Sequence, residues 1–87
     1  MPGKSFTQLK TELDDACLLL RSFTLGKPGC TRKDGNTGME RVSKACLKLI
    51  EAFGSGLHAN SVKTTVAVAR GCIEAAKARV RVLNGKK

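Results

Sequence analysis

Residues 58–84 read HANSVKTTVAVARGCIEAAKARVRVLN, and this stretch decides the fold. Val62, Val66, Ala69, Ile73, Ala76, Val80 and Leu83 recur in alternating steps of four and three. Three heptads in register predict a long helix that packs along its whole length against another. No proline interrupts it, and at 1.5 Å per residue it spans ~40 Å. Opposite the seam lies a second row, Ala67, Gly71, Ala75 and Ala78, all small. Alanine fills helix positions well, and a small face also lets another backbone come close. Beside the seam run Lys63, Arg70 and Lys77, spaced by seven, with Arg81 on the same line. From first to last the row measures about 27 Å. Glu74 alone interrupts it. Solvated helix faces commonly mix signs, because opposite charges at i and i+4 support the helix. A line of uncompensated cations repels itself unless an anion lattice meets it, although flanking charges are also frequent in coiled coils.

The segments before this helix complete the pattern. Ser5 and Gln8 match a capping box, and Phe6, Leu9, Leu13, Cys17, Leu20 and Phe23 follow at helical spacing. Gly26 and Pro28 then signal a stop, which predicts a helix over 5–25. Leu18 and Leu19 lie off its main stripe. Residues 26–38, GKPGCTRKDGNTG, carry four glycines and an Asp-Gly pair and read as a basic loop. That loop is either a solvated linker or an arm that touches phosphates. Thr37 and Glu40 match a second capping box, so the next helix is expected over 39–53, with Met39, Val42, Cys46, Leu49 and Phe53 on one face. Arg41, Lys44 and Lys48 gather on the other face, where solvent alone would also put them. The long helix is expected over 58–84, with a short basic tail at 85–87. The expectation is all-α: one domain over 1–87, a three-helix protomer. A chain of 87 residues buries only about 60–65 per cent of its unfolded surface. A homodimer forming an antiparallel helical bundle, with the Val62–Leu83 seam as dimer or core contact, would supply the missing burial.

Composition narrows the function. Sixteen Lys and Arg stand against seven Asp and Glu, a formal charge of +9. Residues 1–40 contribute +1 and residues 41–87 contribute +8. This balance disfavours an enzyme acting on acidic substrates and favours a polyanion partner. No apolar run approaches the ~20 residues of a membrane span, and the apolar seam of Val and Ala lacks the bulky residues of a membrane-surface helix. The N-terminus lacks the apolar stretch of a secretory signal, so a cytoplasmic protein is expected. Cys17, Cys30, Cys46 and Cys72 show no C-x-x-C spacing and His58 is the single histidine, so no metal site is expected. Cys30, in the glycine-rich stretch, is the expected exposed thiol. Ser55 and Ser61 lie near His58 in sequence, but no third group is evident, and no phosphate loop or paired acids point to catalysis. No enzyme, cofactor or small-molecule substrate is expected.

Among polyanions the choice follows from what is missing. There is no Trp or Tyr, and the three Phe fall on or near core stripes, so base stacking has no platform. No zinc-finger, RNP or helix-turn-helix pattern appears. Straight helices with rows of Lys and Arg suit a rigid duplex met by backbone and shape.

One stretch carries a resemblance. Leu57-His58-Ala59, then Lys63, Val68 and Arg70, resembles the RNA-binding helix of the small silencing suppressors of insect nodaviruses, and Met1-Pro2 with Lys4 before an amphipathic helix is also similar. The match covers about 14 residues plus the start, with Asn60 after the triplet and the matched stretch later in this chain. Members of that family are all-helical homodimers that lie along duplex RNA without reading sequence and shield it from dicing and small-RNA loading. The resemblance implies phosphate or ribose contacts for Lys63 and Arg70. The expected function is therefore double-stranded-RNA binding that suppresses host RNA silencing, in the host cytoplasm if viral. The expected RNA-binding residues are Lys63, Arg70, Lys77, Arg81, Arg41, Lys44 and Lys48. A DNA-binding architectural protein and a protein–protein module without nucleic-acid binding are the alternatives.

Overall fold

Helix ends in this chain are set by reciprocal side-chain caps. The Gln8 amide N–H donates to Ser5 Oγ at 3.2 Å, and the Ser5 N–H donates to Gln8 Oε1 at 2.9 Å. Two of the orphan donors of a helix start are thereby satisfied. In the computed structural model, which describes residues 4–85, this box opens α1 (Phe6–Thr24). The helix closes with a left-handed Gly26 at φ 73°. Its N–H donates to the Phe23 carbonyl and that of Lys27 to the Ser22 carbonyl, the paired bonds of a Schellman turn.

The second helix starts earlier than its glycines suggest. The Thr31 N–H donates to Asp34 Oδ2 at 2.9 Å, and the Asp34 N–H to Thr31 Oγ1 at 3.3 Å. This box opens α2 (Arg32–Phe53), so a loop over 26–38 and a helix start at 39 are both corrected. Thr37 and Glu40 lie inside the helix and cap nothing. Gly35 and Gly38 are helical because space, not backbone freedom, requires them. A Cβ on Gly35 would lie 2.5 Å from the Phe23 ring, and one on Gly38 2.9 Å from Leu20. The glycines let α2 settle against the end of α1.

After Gly54–His58, α3 (Ala59–Gly85) runs 27 residues without a break. The three helices go up, down and up. Phe6, Phe53 and His58 meet at one end, with Phe6 stacked on His58 at 4.2 Å between ring centroids. At the other end Arg32 of α2 hydrogen-bonds Asn84 of α3. The bundle extends 49 × 22 × 15 Å. Its core is wholly apolar: Leu9, Leu13, Ala16, Leu20 and Phe23 from α1, Val42, Cys46 and Leu49 from α2, and Val62, Val66, Ala69 and Ala76 from α3. Ile73, Val80 and Leu83 pack against it half-buried. The heptad seam is therefore filled by the chain's own α1 and α2, and of its two expected roles the core contact is the one seen. Leu18 and Leu19 stay exposed, so α1 is covered on one side only. Cys30 is half-buried against the core rather than an exposed loop thiol. Lys86 and Lys87 of the basic tail, and Met1 and Pro2, lie outside the described residues.

Candidate nucleic-acid interface

The α3 wheel has three working faces, fixed by its packing. Its centre carries the seam into the core. One flank meets α1: Cys72 faces Cys17 there, and the Arg79 guanidinium lies over Gly26. The other flank borders α2, where burial pushes the Cys46 thiol up and the positive charge of Arg70 beside it partly offsets that rise. At ~100° per residue, Lys63, Arg70, Lys77 and Arg81 all fall on this second flank, within about 40° of one another. All four are exposed. The helix that carries them is straight enough in sequence terms, with no proline and no interior break, to hold their spacing as a ruler.

Electrostatically the row is only lightly compensated. Lys77 pairs with Glu74 at 3.2 Å, with both side chains more than half exposed. Lys63, Arg70 and Arg81 make no ion pair among the described residues. An exposed i,i+3 pair is worth a few tenths of a kcal/mol, so Lys77 remains available to a stronger anion.

The second group of expected contacts lies elsewhere. Arg41, Lys44 and Lys48 line an open groove of about 330 Å³ between α1 and α2, opposite Glu12 and Asp15. Lys44 also pairs with Glu40 at 3.2 Å. These three are on the side of α2 turned away from the α3 row, and carboxylates share their groove. The fold does not bring the two groups together, and the α3 row stands as the candidate interface by itself.

The outward face of α3 is the third surface. Ala67, Gly71, Ala75 and Ala78 are exposed, and a Cβ on Gly71 would meet nothing within 4 Å. Val68 and Val82 on the same side are 63% and 56% exposed. No charged residue lies at the centre of this face.

Sequence reasoning passed over Arg79. It lies off the stripe, yet its guanidinium is so close to Gly26 that a Cβ there would come within 3.0 Å, and its Nε is buried without a hydrogen-bond partner. The cation sits at the carbonyl end of α1, where the helix dipole favours it. The alternation of Arg79 and Arg81 was the available signal: two residues apart on a helix, they must serve different faces. His58 is accounted for by stacking on Phe6 and by accepting the Val62 N–H through its carbonyl, at 2.9 Å. Its side chain makes no hydrogen bond to Ser55 or Ser61. Among the described residues no group of His, Cys, Asp or Glu is placed to hold a metal, and no helix is long and apolar enough to cross a membrane. No protein-family model, curated protein or solved structure matches the chain.

Proposed function

We propose that this chain binds double-stranded RNA without reading its sequence and suppresses host RNA silencing by shielding the duplex from dicing and from small-RNA loading. The observation that carries the reading is the α3 row: four exposed cations on one uninterrupted helix, three of them unpaired by any described carboxylate. A rigid cationic line about 27 Å long matches a rigid phosphate lattice. The scarcity of aromatic rings, all packed against one another or in the core, favours a duplex over a single strand. The resemblance of Leu57–Arg70 to nodavirus suppressors favours RNA among duplexes, and the host cytoplasm as the place of action if the chain is viral.

A homodimer belongs to the proposal. With the seam occupied inside the chain, two copies meet through the outward face of α3, where Val68, Gly71, Ala75 and Val82 are exposed. Two chains of charge +9 repel least along an uncharged strip. Antiparallel pairing about a twofold perpendicular to the helices keeps both cation rows on one side of the dimer. Parallel pairing would put them on opposite sides.

Competition gel shifts with blunt RNA and DNA duplexes of equal length test the reading, followed by protection of long duplex RNA from a dicing nuclease. Preference for RNA, indifference to scrambled sequence and protection from dicing support it. Equal or better binding of DNA favours the architectural alternative. No shift at moderate salt favours a protein–protein module.

A further inference from the structure

Cys17 and Cys72 form a facing pair that the proposed interface does not use. Both line an open groove of about 460 Å³ between α1 and α3, with Leu18 and Val68 at its rim. The Cys17 and Cys72 side chains interact across this groove, and both thiols are free. Their neighbours bring the helices close: buried Ala16 precedes Cys17, and buried Ala69 and Ala76 bracket Cys72. We infer that Cys17 and Cys72 are a redox site, which a peroxide-class oxidant closes into a disulfide that pins α1 to α3.

The step balances with the oxidant named. Peroxide oxidises one sulfur to a sulfenic acid and leaves one water. The second thiol attacks that sulfur, the S–S bond forms as the S–O bond breaks, and the hydroxyl departs with the thiol proton as a second water. Two electrons pass from the pair to the peroxide. Charged and titratable groups surround the pair. Lys10, Asp14 and Arg21 line the groove from α1. Cys46 approaches from α2, with Arg70 of α3 beside it. Burial first, and then the neighbouring Cys72, push the Cys17 thiol up to about 12. A disulfide between them forms an S–S bond of ~2.05 Å. The loop it closes covers more than half of the chain, the case in which a disulfide restricts the unfolded state most.

The test uses a Cys30→Ser, Cys46→Ser variant, which holds the pair alone, and the wild-type chain in parallel. Hydrogen peroxide should remove two hydrogens from the intact mass, leave no thiol reactive after denaturation, and raise Tm by at least about 8 °C. Dithiothreitol should reverse all three. Peptide mapping of the oxidised wild type should give the Cys17–Cys72 link, and this readout decides the matter if the double variant does not fold. Two free thiols after excess peroxide, gains of oxygen only, links only between chains, or a dominant Cys17–Cys46 link would each overturn the inference.

Discussion

At Gly35 the physics of helix propensity and of packing oppose each other, and packing wins. Alanine is the better helix former by about 1 kcal/mol. Yet a Cβ at this position would lie 2.5 Å from Phe23, itself buried, so the ring or the helix must move. Gly35→Ala should therefore lower stability, by about 1–3 kcal/mol as overpacking does, read as a shift of the urea midpoint at constant slope. A gain would mean that Phe23 relaxes freely. Cys17 gives a prediction in pH. Its thiol is moved from an ordinary 9.0 up to about 12, through burial and then through Cys72, Cys46 and Asp14. Folding thus favours the protonated form. That contribution is fully present below about pH 9 and is lost as pH rises toward 12. Thermal stability should fall across this window, and the fall should be shallower in Cys17→Ser. Identical slopes in the two proteins would mean that Cys17 ionises as freely folded as unfolded. Cys46, also raised by burial but eased by Arg70, remains in both proteins, so the comparison reads Cys17 together with its coupling to Cys46.

At the scale of elements, two helices could be read from the chain and one start could not. Ser5 and Gln8 mark the beginning of α1, and the four-three pattern from Val62 to Leu83 marks α3, because cap chemistry and burial there agree with local sequence. The start of α2 was hidden because Gly35 and Gly38 look like loop residues until Phe23 and Leu20 are placed against them. The true cap, Thr31 with Asp34, lies in the same stretch and has the same chemistry as the decoy, Thr37 with Glu40. Local pattern alone does not separate them. Thr31→Ala should cost about 1 kcal/mol, whereas Thr37→Ala, on an exposed interior turn, should change stability by less than about 0.5 kcal/mol. Chemical denaturation of both variants checks this, and the reverse ranking would move the helix start back to residue 38. The candidate site divided in the same way. Spacing by seven identified the α3 row, since a single straight helix preserves it. Whether Arg41, Lys44 and Lys48 share a face with that row depends on how α2 turns against α1, a tertiary fact that the α1–α2 groove lined by Glu12 and Asp15 settles against them. Arg79 was missed because its partner, the Gly26 turn, is remote in sequence.

At the scale of the whole molecule, a small self-contained core supports two surfaces on a single helix. The core residues Leu13, Leu20, Val42 and Leu49 are fully buried within one chain, so the protomer folds around itself, and the outward α3 face is the one proposed to meet a second copy. A charge on that face should separate the copies without unfolding either one. Val68→Asp should halve the solution mass measured by sedimentation while helical content stays unchanged; a mass equal to wild type would exclude this face as the dimer contact. In the proposed antiparallel dimer, Arg70 would lie near the twofold axis, so one substitution would remove two central contacts. Each charge-assisted contact is worth about 1.5–3 kcal/mol, and arginine can hold a phosphate with two hydrogen bonds. Arg21, exposed on α1 at the opposite flank of α3, has the same charge without the position. The most direct measurement is the affinity of Arg70→Gln and Arg21→Gln for one blunt RNA duplex at one salt concentration. The account predicts a loss of roughly two to four orders of magnitude for Arg70→Gln, with the fold intact, and little change for Arg21→Gln. Equal losses from both would contradict it, because net charge rather than a positioned row on α3 would then be doing the binding.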